Sequence, residues 1–274
     1  MKTISRNLLL LAMAVLLSAA ACQKKPMDAA SLQMTVDGFR KLISPFQSCL
    51  EHVHGKGWKE NATPELRKTF SAGAYFTVLH HLSMESGWTL DYVYQTDNVG
   101  GRPVLYARRA DAEPFKSFDD FRAAKQIATI QPTDIPWGNE FYNGTIRLDG
   151  SPASYFEYVV LTIMGDQLFH IWHDNYHDEL VICDKSGLDA FFAEWDSTTP
   201  FDRSVPPALR KGAYALDLQP RVRFEADNVA VSVAVFSKWG GFERRSWTIT
   251  KRAPYKVLNM SKETLLDYYC GIVI

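Results

Sequence analysis

The chain lacks the short signatures by which many enzymes are identified. Its 274 residues contain no Gly-x-Ser-x-Gly elbow, no Ser-x-x-Lys, no His-Glu-x-x-His, no phosphate-binding loop and no dinucleotide fingerprint. These absences exclude local motifs only, because a catalytic site can also be assembled from residues that are distant in sequence. They favour a non-catalytic protein, and we expect no cofactor.

An excess of charge of either sign is also missing. The 30 Lys and Arg residues are balanced by 31 Asp and Glu residues, which gives a net charge of −1 with the histidines neutral. Without a basic stripe, nucleic acid is excluded as an expected partner. Long apolar runs are scarce beyond the first residues. The longest, from Tyr158 to Met164, has the length of a strand and is too short to span a bilayer.

Cysteine is rare, with four residues in the whole chain. Besides Cys22, the chain has Cys49, Cys183 and Cys270, which allow one disulfide in three possible pairings. The sequence does not select a pairing. The alternative is that all three thiols are small buried apolar side chains.

The amino terminus carries a definite pattern. Lys2 and Arg6 precede an apolar run from Leu8 to Ala21, which ends in small residues directly before Cys22. A basic start, an apolar centre and a small-residue cleavage site predict a secretory signal peptide over residues 1–21.

A cysteine at the first position after the cleavage site resembles the lipobox of bacterial lipoproteins. The resemblance covers residues 1–22 and implies that the Cys22 sulfur carries a diacylglycerol and that its amine is acylated. Gln23, in place of an aspartate, resembles the pattern that Gram-negative bacteria sort to the outer membrane. We therefore expect a lipid-anchored protein of the cell envelope that faces the periplasm. The alternative is an ordinary secretory signal that is cut nearby without addition of lipid.

The rest of the chain divides into a tether at residues 22–30, a domain at residues 31–200 and a β-rich unit at residues 201–274 that can belong to the same domain. Four apolar residues spaced four and three apart predict a helix that Ser31 caps and Pro45 splits: Leu32, Val36, Phe39 and Ile43. Packing on the protein's own core is favoured over packing on a membrane surface. A second helix is predicted from Thr63 to Met84.

Alternating apolar residues and turn residues predict strands over residues 89–95, 103–108, 155–164, 167–173, 179–183, 221–225, 229–236 and 242–250. Short helices are predicted after Ser117, Ser186 and Ser261. Neighbouring strands with helices outside them predict an α+β fold, a mainly antiparallel sheet with covering helices.

Three histidines form the densest polar cluster: His170, His173 and His177. Imidazole nitrogens bind zinc, and nearby acids orient the rings. Because a strand that ends in a loop is predicted here, His170 and His173 should point to opposite faces. The candidate metal ligands are therefore His173 and His177, with Asp174 or Asp178. The favoured alternative is a solvated hairpin end.

Two further groups of residues are weaker candidates. Cys49 lies near His52 and His54, but a thiol beside the apolar face of a helix is a poor nucleophile. His80 and His81 are expected at the C-terminal end of the second helix, where a cation interacts favourably with the helix dipole.

Aromatic residues in predicted loops and turns are the candidate binding residues: Trp137, Trp172, Tyr176 and Trp239. Exposed aromatic rings often anchor a partner, although closing the rim of the core is the favoured alternative. We expect a membrane-anchored envelope lipoprotein that binds a protein or a small ligand without catalysis. The first alternative is an immunity or inhibitor lipoprotein that neutralises an envelope-acting toxin or lytic enzyme. The second is a zinc-dependent hydrolase.

Overall fold

The computed structural model describes residues 27–47, 58–96, 100–125, 140–172, 178–198 and 205–270. In these residues the α-helices are α1 (Ala29–Ile43), α2 (Trp58–Thr69), α3 (Phe118–Ala124), α4 (Pro152–Met164), α5 (Lys185–Thr198) and α6 (Pro207–Ala213). The strands are β1 (Leu82–Met84), β2 (Trp88–Thr96), β3 (Gly100–Arg109), β4 (Ile146–Leu148), β5 (Ile171–Trp172), β6 (Leu180–Ile182), β7 (Arg221–Phe224), β8 (Asn228–Ser237), β9 (Gly241–Thr250) and β10 (Val257–Leu266).

The strands form three sheets, and every pair in the described residues is antiparallel. The largest sheet runs β10-β9-β8, and both β6 and β7 pair with the far side of β8. The others are β2-β3-β5 and the short pair β1-β4. The predicted α+β fold with mainly antiparallel sheet is confirmed.

Helices cover both faces of the largest sheet. The Tyr155 ring of α4 lies 5.4 Å from Phe224, while the Phe191 ring of α5 lies 4.6 Å from Phe236. Phe224 pairs with Val229, and Val229 and Phe236 point to opposite faces because side chains alternate along β8. None of the described helices is both long and apolar enough to span a membrane.

The first helix is buried on the face that the sequence predicts. Leu32, Val36, Phe39 and Ile43 all belong to the main core, so the alternative of a membrane-surface helix is wrong. The helix begins at Ala29 with Asp28 as its N-cap, earlier than the predicted Ser31. A short 3₁₀ turn, residues 44–46, follows α1 at Pro45, as the missing amide hydrogen of proline predicts.

The segment 155–164 is helical, so the strand predicted there is wrong. It forms most of α4, whose first turn carries Pro152 and whose N-cap is Ser151, with the Ser154 N–H donating to the Ser151 hydroxyl at 3.2 Å. The helix is buried on nearly every side, so its residues show no amphipathic period. The predicted partner strand 167–173 is reduced to β5.

The second predicted helix has the wrong limits. It starts at Trp58, contains Pro64 and ends at Thr69, after which a 3₁₀ helix (Ala72–Thr77) and β1 occupy the remaining residues. The Thr63 hydroxyl accepts the N–H of Tyr94 at 2.9 Å, so this side chain joins α2 to β2 rather than capping a helix.

The helix predicted after Ser261 is also wrong, because Ser261 lies in β10 opposite Ser246 of β9. The helix after Ser117 is confirmed, with Ser117 as the cap. In α5 the capping side chain is Asp184 instead of Ser186, since Asp184 Oδ1 accepts the Gly187 N–H at 2.9 Å. The predicted strands around residues 89–95, 103–108, 179–183, 221–225, 229–236 and 242–250 are confirmed to within three residues.

Candidate functional site

Many of the predicted site residues lie outside the described part of the chain: Cys22, Cys49, His52, His54, Trp137, His173, Asp174, Tyr176 and His177. The signal peptide, the lipidation site and the zinc site therefore remain predictions. Trp172 belongs to β5, opposite Gly100 of β3.

His170 is a buried side chain of the core. Its Nε2 lies 2.9 Å from the carbonyl oxygen of Asp166, which can only accept a hydrogen bond, so Nε2 carries the donated hydrogen. Asp178 pairs with Lys238 at 3.5 Å, and burial raises the pKa of its carboxyl. Within the described ranges, no three His, Cys, Asp or Glu side chains lie close enough to hold a metal ion.

Cys183 is a buried free thiol at the end of β6. The Cys183–Cys270 pairing is therefore not formed. Burial raises the pKa of the Cys183 thiol well above its usual value, and Asp184 and Asp37 add to this effect. A thiol in such surroundings is a poor nucleophile, which agrees with a packing role.

His81 belongs to a polar cluster that the sequence does not predict. His80 and His81 lie in the turn before β1, so their expected place at a helix end is wrong. Leu82 of β1 pairs with Leu148 of β4, and this pairing brings His81 and Asp149 together: Nδ1 of His81 lies 2.6 Å from Oδ2 of Asp149. The backbone N–H of His81 donates to Oε2 of Glu157 at 2.8 Å.

The two acids of this cluster have opposite pKa shifts. Partial burial of Asp149 raises its pKa, but hydrogen bonds from Ser151 and His81 outweigh burial and hold the pKa at about 2. Burial raises the pKa of Glu157 to about 7, although its hydrogen bond from His81 opposes this. Glu157 therefore titrates near neutral pH while Asp149 stays charged.

The cluster does not have the arrangement of a Ser-His-Asp triad. Such a triad places the acid at Nδ1 of the imidazole and the serine at Nε2. Here Asp149 Oδ2 and the Ser151 hydroxyl, 3.4 Å away, both approach Nδ1 of His81. The contacts instead join the turn before β1 to the start of α4. Sequence analysis missed Asp149 and Glu157 because they lie 68 and 76 residues from His81.

A second buried cluster connects α2 to the β2-β3 sheet. Asp91 of β2 accepts hydrogen bonds from Nε of Arg67 at 2.7 Å and from Nε of Arg108 at 2.6 Å. Arg67 also donates to the carbonyl oxygens of Tyr92 and Phe115. These hydrogen bonds join α2, β2, β3 and the segment at Phe115, so the cluster acts as an internal structural brace.

An exposed candidate binding feature is β10, the last strand of the largest sheet. One side of β10 pairs with β9, and no other strand in the described part of the chain pairs with its outer edge. Residues 258–264 are exposed without interruption. Leu258 and Met260 are 55% and 50% exposed.

Two aromatic rings continue this feature beyond the end of the strand. Tyr269 is 53% exposed, and its ring lies 5.6 Å from that of Trp239 in the turn between β8 and β9. The Cys270 N–H donates to the Lys238 carbonyl at 2.9 Å, which holds the two segments side by side. We call β10 with Trp239 and Tyr269 the β10 edge surface. Of the predicted binding residues, Trp239 is therefore placed beside an exposed ring.

Because a helix is predicted after Ser261, sequence analysis does not identify the β10 edge surface. The alternation of Leu258, Asn259, Met260 and Ser261 has period two and is the signal that could have revealed a strand. That none of the described strands neighbours the outer edge is a property of the sheet order, which no local pattern encodes.

No protein-family model, no curated protein and no solved structure matches this chain.

Proposed function

We propose that this chain is a lipid-anchored protein of the bacterial cell envelope that binds an extended segment of a partner protein at the β10 edge surface, without catalysis. The observation that carries the proposal is the exposed outer edge of β10. An edge strand presents a row of backbone N–H and C=O groups, and an added strand is the ligand that satisfies them in register.

The length and exposure of β10 support a binding role. Proteins usually shorten, cover or interrupt the edges of their sheets, because an open edge invites pairing with other chains. β10 is ten residues long, and its register shifts relative to β9 fall near its two ends, between Val257 and Asn259 and between Thr264 and Leu266. The stretch from Asn259 to Thr264 is regular, which leaves a continuous site for strand addition.

Exposed apolar side chains on the same surface add a second reason. Leu258, Met260 and Tyr269 are three of the exposed large hydrophobic residues in the described ranges, and Met34 on α1 is another. Full burial of one such side chain contributes roughly 1.5–3 kcal/mol. A partner strand that covers Leu258 and Met260 would therefore gain affinity beyond its backbone hydrogen bonds.

The proposed location follows from the lipobox at Cys22. With α1 beginning at Ala29, the tether spans residues 22–28. At roughly 3.5 Å per residue it reaches about 25 Å, so the folded body stays close to the membrane that holds the lipid. Partners of the β10 edge surface are then proteins of the periplasm or of the same membrane.

Affinity purification from the native envelope tests the proposal with two matched variants. Met260→Lys introduces a charge at the β10 edge surface, and Met34→Lys introduces the same charge at an exposed methionine on α1. A partner that is captured by the wild type and by Met34→Lys but lost with Met260→Lys supports binding at this surface. Equal capture by both variants would overturn it.

The identity of the captured partner separates the alternatives. A toxin or lytic enzyme whose activity the protein inhibits would establish the immunity function. A component of an assembly or transport machine would establish a general binding role. A dimer in light scattering that Met260→Lys dissociates would show that a second copy occupies the edge, which contradicts the proposal of a separate partner.

A further inference from the structure

We infer that the partner segment carries a specific charge pattern: an acidic residue opposite Lys262, a basic residue next to it opposite Glu263, and an apolar residue opposite Met260. This inference rests on the proposed function and names the chemistry of the segment that the β10 edge surface selects.

On the face of the sheet that carries Met260 and Lys262, an added strand would favour an apolar residue opposite Met260 and an acidic residue opposite Lys262. Met260 lies opposite Trp247 of β9, and Lys262 lies opposite Arg245. The guanidinium of Arg245 binds Glu179 at 2.6 Å and Glu243 at 2.7 Å.

The positive charge of Lys262 is less well compensated than that of Arg245. Its Nζ lies 3.9 Å from Oε1 of Glu243, and its side chain remains half-exposed. Glu243 is therefore shared between two cations, one buried and one exposed. A carboxylate on an added strand opposite Lys262 would supply a second negative charge to the exposed cation, whereas a basic residue there would add a third positive charge to this face.

The other face of β10 has the opposite preference. Glu263 is exposed and lies opposite Arg244 of β9. The Arg244 guanidinium is turned toward the chain before β7, where it donates to the carbonyl oxygens of Gln219 and Asp217. Glu263 interacts electrostatically with Arg244 but remains exposed, so its outer side is open to a basic side chain on the added strand.

The alternation of side chains fixes the spacing of the pattern. Residues opposite Lys262 and Met260 are two positions apart on one face of the added strand, and the residue opposite Glu263 is next to the acid on the other face. An antiparallel segment would read basic–acidic–x–apolar, and a parallel segment would read the reverse. Opposite charges directly across from each other on neighbouring strands are favourable, and like charges are unfavourable.

Two pairs of fluorescent ten-residue peptides test this inference. In the first pair, one peptide carries the basic–acidic–x–apolar pattern and its twin has the two charges exchanged. The second pair carries the reversed order for parallel binding. Since exchange turns two favourable pairs into two unfavourable ones, we expect the wild type to prefer the matched peptide by about tenfold in Kd. The double variant K262E/E263K should reverse this preference.

A charge exchange elsewhere on the surface is the control. Lys68 and Glu65 form an exposed ion pair on α2, so K68E/E65K makes the same exchange away from β10 and should keep the wild-type preference. Equal affinity for both twins, or a preference that K262E/E263K does not change, would overturn the charge pattern. Absence of binding by every peptide would overturn it as well.

Proline variants separate a failure of this inference from a failure of the proposed function. Along an antiparallel strand, neighbouring residues point their N–H groups to opposite edges. Ser261 and Thr264 are an odd number of residues apart within the regular stretch, so one of Ser261→Pro and Thr264→Pro removes an outward N–H and leaves the β9 pairing intact. If the proline variant that keeps the β9 pairing folds and weakens the binding of both twin peptides equally, strand addition is supported even when the charge pattern is wrong.

Discussion

Asp91 is the residue on which the interior charge balance between α2 and β2 depends. Its side chain is buried and is shared between Arg67 and Arg108. An arginine stays protonated in a protein interior, so neither partner can neutralise itself when the acid is lost. The cluster therefore has two cations that one carboxylate compensates.

We predict that Asp91→Asn lowers the free energy of unfolding by roughly 3 kcal/mol, because it leaves two partly buried cations without their counter-charge. Urea denaturation measures this change. Asp111→Asn is the control, since Asp111 is 79% exposed and its pair with Arg109 is long, at 3.5 Å. Its effect should stay within about 0.5 kcal/mol. Equal losses in the two variants would contradict the internal brace.

Glu157 makes stability depend on pH near neutrality. Its pKa rises from 4.5 to about 7 on burial, so between these values the folded protein keeps a proton that the unfolded chain has lost. The folded state then binds more protons, and the free energy of unfolding falls as the pH rises through this range. The full effect is up to roughly 3 kcal/mol and is complete above the folded pKa.

We predict that Glu157→Gln removes this dependence, because a neutral amide can still accept the His81 N–H. The stability of the variant relative to the wild type should increase between about pH 5 and about pH 8, as measured by denaturation at each pH. Glu65→Gln changes an exposed carboxyl and should follow the wild-type curve. If the curves for wild type and Glu157→Gln run parallel, the raised pKa is wrong.

At the scale of the elements, α1 and α5 are joined by a close contact at Gly187. A Cβ atom there would lie 2.2 Å from Oε1 of Gln33. That oxygen accepts the Cys183 N–H at 2.7 Å, while the other end of the Gln33 amide donates to Asp37 at 2.8 Å. The amide is thus held at both ends and cannot move without breaking a buried hydrogen bond.

We predict that Gly187→Ala destabilises the protein by roughly 1–3 kcal/mol, although alanine is favoured over glycine within a helix by about 1 kcal/mol. The thermal unfolding midpoint measures the change. Gly144→Ala, with no atom within 4 Å of the added carbon, should be nearly neutral. In a Gln33→Ala background Gly187→Ala should no longer destabilise; a persistent loss would contradict the proposed clash.

The elements that the sequence predicts best are those with one buried face. In α1, Leu32, Val36 and Phe39 repeat with the helical period because the opposite face is exposed. α4 is surrounded by core on nearly all sides, so its Val159-Val160 pair and its aromatics indicate a strand, and only the Ser151-Pro152 cap indicates a helix. In β10, Ser261 resembles a helix N-cap in the sequence, but pairing with β9 makes the segment a strand.

The candidate site was less predictable than the fold because it depends on which elements become neighbours. Trp239 could be selected as a turn aromatic, but its contact with Tyr269 arises from the return of the chain past β10. His81 and Asp149 meet only because β1 pairs with β4. The pairing of strands that are far apart in sequence is a tertiary property, and local periodicity does not encode it.

For the whole molecule, the proposed lipid at Cys22 would determine where the protein is held. We predict that Cys22→Ser moves the protein from the membrane fraction to the soluble fraction of the envelope, because the sulfur that carries the lipid is lost. Fractionation followed by mass spectrometry of the amino-terminal peptide measures this. Cys49→Ser should leave the protein in the membrane fraction. A wild-type protein with an intact, unprocessed start would contradict the anchor.

The position of α1 also affects the order in which the chain can assemble. Gln33 of α1 binds the amide of Cys183, 150 residues further along, and Arg40 pairs with Glu194 of α5. Phe39 of the first helix stacks on the nearby Tyr75, but the contacts of this helix with β6 and α5 can form only after most of the polypeptide has been synthesised. Contacts of such high sequence separation slow folding, so we expect part of the core to stay exposed while the chain is being synthesised.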